Sequence, residues 1–365
     1  MLILNNDEIE SLISVETSLR FLEKAYSQQA EGKAVYRPRT DLYLPKTTPS
    51  GVYAFKSMEG GLTDPPVVAL RLNSDVIRWE ERDGRTIKRK IPQAGSGKWV
   101  GLILLFSAET GEPLAIFPDG VIQRWRVAGT SALAARYLAR ENAATLGLFG
   151  SGWQAGAHVP MMCGIRTIKR IRLYSPTKAN RERFAEEMEK KIRLPVEVVE
   201  RPEEVADGAD ILVAATNAIT RVIEPGWLRP GVHVTCVKDC ELGEETIRRA
   251  DRLAIHCRRF APRNYIAGFG DEEIEAHDPV DFLRQGGGSI SSPEPPFWVG
   301  APELKDLVAG TVPGRKSDRE ITCFINNIGM GLQFAALGAC VYADAKSKGI
   351  GREVPTDWFL ESVHP

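Results

Sequence analysis

The chain has 365 residues, with 47 basic against 48 acidic side chains and a formal net charge of −1. At roughly 150 residues per domain, that length predicts about two domains. A composition of 43% hydrophobic and 26% charged residues is that of a globular protein, and the balanced charge excludes a whole-chain basic field for nucleic acid. The N-terminal stretch MLILNNDEIESL has no basic start and no long apolar run, so we expect neither a signal nor a transit peptide. The longest apolar runs, LILLF and ILVAA, are of strand length and too short to span a bilayer. Six cysteines in a chain this long suggest free thiols in a reducing, cytoplasmic setting, and no metal site is expected.

The first segment reads as helical. Asp7 and Glu10 have the spacing of a capping box, Leu19, Leu22, Ala25 and Tyr26 recur at helical spacing, and Gly32 is a stop. From Val35 to Phe117 short β-branched and aromatic runs alternate with turn residues, which predicts an antiparallel sheet joined by hairpins. Within it, EERDGRTIKRKIPQAGSGK reads as a protruding hairpin or loop; its acidic residues argue against a nucleic-acid patch. At about Val127 the Ala-rich VAGTSALAARYLARENA predicts a helix. Strands and helices then alternate through TLGLF, IKRIRLYS, ANRERFAEEMEKKI, VEVV, DILVAAT and VHVTCVK, the pattern of a parallel sheet covered on both faces. Arg258 to Pro302 reads as a long irregular loop or lid, and Ile321 to Lys348 as one glycine-interrupted helix with Phe334, Leu337 and Val341 on one face.

Gly150, Gly152 and Ala155 in LGLFGSGWQA stand in the spacing G-x-G-x-x-A, between a strand and a helix. The first glycine permits the tight turn, the second lets a pyrophosphate approach the backbone, and the small third residue lets helix and strand pack. Ser151, Trp153 and Gln154 share that turn. A tight strand-to-helix turn without ligand is the competing reading. The second strand ends in RLYSPTKANR, without the acid that binds a ribose 2′-hydroxyl. Ser175 and Thr177 suit hydrogen bonds to a 2′-phosphate, and Lys178 or Arg181 suits its charge, which favours NADP, with NAD as the alternative. A solvated surface turn would look the same.

Cations outside this segment suit a carboxylate substrate. They are Arg37 and Arg39 in YRPRTDLYL, Lys56 within the apolar VYAFKSM, and Arg124 and Arg126 in IQRWRVAGT. Taken singly, each also reads as a surface ion pair. Asp239 follows the strand VHVTCV, at the edge where open parallel sheets bind ligands, and suits proton transfer at an amine; a helix N-cap is its other reading.

Several segments together carry a resemblance: YAFKSM, RWRVAGTSALAARYLA with LGLFGSGWQA, ADILVAAT, RPGVHVTCVKD and PGRKSDREITCFINNIG. In this order the chain resembles the ornithine cyclodeaminase and mu-crystallin family, which includes ketimine reductases and amino-acid dehydrogenases. The resemblance implies an α/β fold with a Rossmann doubly wound parallel-sheet domain at residues 127–314. It implies an α+β substrate-binding and dimerisation domain built from both chain ends, residues 1–126 and 315–365. It places Arg39, Lys56 and Arg126 in the substrate-carboxylate cluster, Asp239 as the catalytic aspartate with Lys56 beside it, and Thr216 against the cofactor. Departures are an extended loop at Glu80 to Lys98, an expanded Arg258 to Pro302, Gln333 at an acidic position, and CELGEE after Asp239. They point away from ornithine as substrate. The expected function is an NAD(P)-dependent oxidoreductase acting on C–N bonds, reducing an imine of a small 2-oxo acid or oxidising the matching amino acid. The expected assembly is a homodimer, with no nucleic-acid or membrane partner. The alternative is a cyclodeaminase-type lyase that uses bound NAD+ to cyclise a diamino acid with release of ammonia. A cofactor-binding protein without turnover is a third reading, against which Lys56 and Asp239 stand together.

Overall fold

The computed structural model describes residues 1–46, 51–82, 85–92, 97–259, 261–268, 274–275 and 294–363. Among these, two sheets organise the chain. The first is seven-stranded and parallel throughout, with the strands Val196–Val198, Arg170–Tyr174, Thr145–Phe149, Ile211–Ala214, His233–Cys236, Thr322–Ile325 and Arg252–Ile255 in that spatial order. Every residue of Ile211–Ala214, His233–Cys236 and Thr322–Ile325 is buried, as strands covered on both faces require. The strand order reverses direction between Thr145–Phe149 and Ile211–Ala214, which opens a crevice at the carboxyl edge beside the glycine turn.

The second sheet has eleven strands and is mostly antiparallel. Its centre is the pair Gly51–Thr63 and Pro66–Arg82, and burial alternates along the first, so that only one face meets the core. Leu2–Ile3 pairs with both Pro113–Pro118 and Arg352–Glu353, which joins the two chain ends in this sheet. The helices Val15–Ala30, Gly120–Leu138 and Gly331–Lys348 fill the space between the sheets with one continuous apolar core. None of the described helices is long and apolar enough to cross a membrane.

The α/β class and the doubly wound sheet agree with the sequence reading, and several local expectations do not. The first helix is capped by Asn5 with Glu8, not by Asp7 with Glu10: the Asn5 side chain accepts from the Glu8 N–H at 2.9 Å. The helix expected from about Val127 begins at Gly120. Its β-branched and aromatic first turns are buried, and that packing outweighs their weak helix propensity. Arg124 and Arg126 therefore sit within the helix and not in the segment before it. The single helix expected over Ile321 to Lys348 is a buried strand, Thr322–Ile325, then a loop, then a helix from Gly331. Two strands cross the division expected at residues 127 and 314. Thr322–Ile325 lies in the parallel sheet, and Arg263–Ile266 pairs with Thr40–Lys46 in the other. That strand, with Ile274–Glu275, also breaks up the expected lid, most of which lies outside the described residues. The extended segment after Glu80 is a hairpin that pairs Pro66–Arg82 with Arg85–Ile91.

Candidate active site

Gly150 follows the central strand with φ of +109°. A Cβ there would stand 2.4 Å from the Ala215 carbonyl oxygen, so only glycine turns the chain between these two strand ends. Around Gly152 the space a Cβ would take is open. The helix Ala155–Ile165 has no acidic residue in its first turn and no side-chain cap; the Gly156 and Ala157 N–H groups donate to the Gly152 and Gln154 carbonyls, so an anion meets the helix at the Ala155 N–H and the glycine turn before it. Ser151 donates to the Ser175 hydroxyl at 3.0 Å, tying together the ends of the first two strands. Trp153 is exposed and carries the Arg124 guanidinium over its ring at 4.0 Å. Arg124 thereby serves this stack and a pair with Glu10, away from the cleft.

At the end of the second strand the residues divide. Thr177 stands at the head of the helix Lys178–Ile192 but makes no capping hydrogen bond. Lys178 is exposed and pairs with Glu182 at 3.8 Å. Arg181, expected to offer its charge to a 2′-phosphate, is buried instead. It donates to the Ser175 carbonyl at 3.0 Å, pairs with Glu200 and lies against Tyr174. It braces the turn, because the aliphatic and planar parts of its side chain pack under the strand end.

A cleft of about 410 Å³ lies between the sheets, and the carboxyl edge of the parallel sheet forms one wall. The opposite wall is the inward face of the antiparallel sheet. There the register sets Asp41, Lys56 and Asn73 in one row and Tyr43, Ala54 and Asp75 in the next. Arg39, Lys56, Arg71, Lys90, Arg126 and Lys238 line the cleft, and no carboxylate does among the described residues. Carboxylates stand behind instead. Asp41 takes Arg39 at 2.7 Å through Nε, Asp119 takes Arg71 at 2.8 Å, and Asp75 pairs with Lys56 at 3.6 Å and with Lys90 at 2.8 Å.

Arg126 differs from the rest. It is buried, and its described hydrogen bonds go to two neutral amides, Gln123 at 3.0 and 3.2 Å and Gln333 at 3.1 Å. Burial, reinforced by nearby Arg71, pulls its guanidinium down to about 9. Gln333 is itself fixed, donating to Thr130 at 2.6 Å and to Tyr26 at 3.1 Å. A Cβ on Gly329 would lie 2.4 Å from Arg126 Nη1, so a side chain there would displace the guanidinium. The position expected to be acidic is thus a neutral partner. Among the described residues no carboxylate pairs directly with Arg126, and Asp119, which holds Arg71, acts on it only at longer range.

Thr216 and Lys238 reach the cleft from the parallel sheet. Both turns are held by Glu241, a buried carboxylate. One oxygen accepts from the Thr216 N–H at 2.7 Å and its hydroxyl at 2.6 Å; the other accepts from the Val237 and Lys238 N–H groups at 3.0 Å each. Asp239 does not line this cleft. It opens a short 3-10 turn and lines a neighbouring cavity of about 490 Å³ with Cys240 and Trp298. Arg37 is exposed and pairs with Glu59 at 2.9 Å, outside the cleft.

The structure thus brings together Arg39, Lys56, Arg126, Gln154 and Thr216. Arg71, Lys90, Lys238 and Glu241 were not anticipated. Arg71 and Asn73 alternate with Leu70 and Leu72 in ALRLNSD, with Asp75 continuing the same period of two, a polar stripe that marks an inward polar face. Lys90 carries no such signal, because its partner Asp75 lies on another strand, and the part of Glu241's role that joins the two turns rests on Thr216, 25 residues away.

Comparison with known proteins bears on this site. The model of the ornithine cyclodeaminase/mu-crystallin family matches residues 84–264. A Δ1-pyrroline-2-carboxylate reductase of Bacillus cereus is 28% identical over 274 residues, covering 74% of this chain and 78% of the relative. An alanine dehydrogenase of Archaeoglobus fulgidus is 26% identical over 361 residues, 97% of this chain and 98% of the relative. The structure of Thermococcus litoralis Δ1-pyrroline-2-carboxylate reductase in complex with NADH and L-proline superposes with a TM-score of 0.74 at 27% identity. It covers 97% of this chain and all of that one.

Proposed function

Given that the chain belongs to the ornithine cyclodeaminase/mu-crystallin family, we propose that it is an NAD(P)-dependent oxidoreductase acting on carbon–nitrogen bonds. It reduces the imine of a small 2-oxo acid, or oxidises the matching amino acid. The observation that carries this reading is Arg126, a buried guanidinium whose described partners are neutral amides, in a cation-lined cleft shared with Gln154 and Thr216. A substrate carboxylate supplies the direct anionic partner, and a bidentate grip fixes its orientation.

The residues fit a dinucleotide. Gly150 makes the turn, Gly152 leaves room, and the uncapped helix head at Ala155 receives the pyrophosphate. Ser175, Thr177 and Lys178 favour NADP, with NAD as the alternative; Arg181 supports that turn from within. When bound, the dinucleotide supplies or accepts the hydride. Arg126, Arg39 and Lys56 hold the carboxylate, and Lys56 keeps its ammonium in the cleft through its pairing with Asp75. Asp239, one residue beyond the cleft-lining Lys238, exchanges the proton at nitrogen once its carboxylate turns from the neighbouring cavity toward the cleft.

A second copy of the chain completes the assembly. Leu42, Leu44, Val68, Val100, Leu102 and Tyr265 leave an exposed apolar outer face on the antiparallel sheet, which suits a homodimer. The test is NADPH and NADH oxidation with glyoxylate, pyruvate or oxaloacetate, each with ammonia or methylamine, and with cyclic imines. Oxidation that needs both oxo acid and amine supports the reading. No oxidation with any of them, together with ammonia release from ornithine, overturns it in favour of a cyclodeaminase.

A further inference from the structure

Building on that reading, we infer that the substrate is a dicarboxylate, the imine of a 2-oxo diacid or the corresponding amino diacid, and that Lys90 selects its second carboxylate. The inward face of the antiparallel sheet is a grid. Met58 stands opposite Arg71, Lys56 opposite Asn73, Ala54 opposite Asp75, and Ile77 opposite both Val52 and Lys90. Successive rows are about 7 Å apart along the strands. Positive charge is therefore spread along the cleft. Arg71 marks one end, facing the Phe334 ring that it shares with Arg126, Lys56 stands in the middle, and Lys90 enters from the far end on the hairpin strand Arg85–Ile91.

A monocarboxylate is held by Arg126, Arg39 and Lys56 and does not reach Lys90. At the far end Lys90 then has, among the described residues, only Asp75, which Lys56 already pairs with. Lys90 is the adaptable member, with 45% of its side chain in solvent while Asp75 is almost wholly buried. It can turn from Asp75 toward a ligand without leaving that carboxylate alone, because Lys56 remains beside it. The dinucleotide does not use this end. Its turn and helix head stand on the parallel sheet across the cleft, whereas Lys90 is carried by the antiparallel sheet. In the reaction the imine carbon gains the hydride from NAD(P)H and the nitrogen gains a proton, so both carboxylates stay intact and serve only for binding.

The experiment compares oxaloacetate with pyruvate, each with ammonia and NAD(P)H, for the wild-type full-length protein, Lys90→Met and Lys90→Arg. The expected result is at least a tenfold higher kcat/KM for the diacid in the wild type, lost in Lys90→Met and largely kept in Lys90→Arg. Equal use of both acids by the wild type, or an equal fall for both in Lys90→Met, overturns the diacid inference and leaves the imine reading standing. No oxidation with either acid or with cyclic imines overturns both. L-Malate and L-lactate, followed by thermal shift in the presence of NADP+, supply a readout of binding. Malate should stabilise the wild type more than lactate does, and Lys90→Met should remove the difference; equal shifts in the wild type count against the inference.

Discussion

Replacing Glu241 by glutamine probes how the cleft wall is held. The native carboxylate receives four hydrogen bonds, two at each oxygen, from Thr216 on one side and from Val237 and Lys238 on the other. An amide keeps one of the two oxygens. If its oxygen faces Val237 and Lys238, its nitrogen faces Thr216. The threonine hydroxyl then rotates to accept, and only the Thr216 N–H loses its partner. If the amide is flipped, two backbone N–H groups are orphaned, so the first arrangement prevails. One buried orphaned N–H costs about 1–3 kcal/mol. The urea midpoint of Glu241→Gln should fall by that amount, and NAD(P) should bind several-fold more weakly because Thr216 is no longer fixed. Glu241→Leu orphans all four donors and should cost clearly more. A Glu241→Gln protein with unchanged midpoint and unchanged cofactor affinity would refute the assignment of Glu241 as the residue that positions both turns.

Other outcomes follow from the same geometry. Gly150→Ala forces a Cβ toward the Ala215 carbonyl at a positive φ, at a strain of about 1–3 kcal/mol, and should abolish cofactor binding in a fluorescence titration; retained affinity would sink the turn's role. Arg126→Met removes a charged pair with the substrate carboxylate worth about 3 kcal/mol, so KM should rise roughly 100-fold. A KM within twofold of the wild type would exclude Arg126 as the anchor. Asp239→Asn should lose turnover and keep dinucleotide affinity, and normal turnover would remove Asp239 from the mechanism. Burial holds His158 at about 4 and His233 and His256 at about 3, while the same groups protonate near 6.5 in the unfolded chain. Below that pH the unfolded chain binds more protons, so stability present above pH 6.5 is lost as pH falls toward 4. Three such groups give a slope of about 4 kcal/mol per pH unit. Urea midpoints that stay level from pH 7 to pH 5 would contradict this.

Local chemistry made much of the molecule legible in advance. Alternating apolar runs and turn residues announced the antiparallel sheet, and continuous apolar runs such as ILVA announced strands covered on both faces. Gly150 announced the turn at the carboxyl edge, because a positive φ next to another strand end admits no side chain. Lys56 stood out as a charge whose strand neighbours are apolar. These features depend on residues close in sequence, and a periodicity of two or a single backbone angle is enough to reveal them.

What the sequence could not determine is pairing between distant residues. Thr322–Ile325 was hidden inside an apparent helix because four apolar or β-branched residues fit either state, and only insertion between two parallel strands makes them a strand. Arg181 and Arg126 look alike as letters. Glu200 and the Ser175 carbonyl turn the first inward as a brace, while the second has the neutral amides of Gln123 and Gln333 as hydrogen-bond partners and, among the described residues, no direct ion pair. Lys90 enters the cleft only because a hairpin sets it opposite Ile77 and within reach of Asp75. A side chain's composition sets its charge, but the partners that fold against it decide whether that charge is spent within the protein or kept for a ligand.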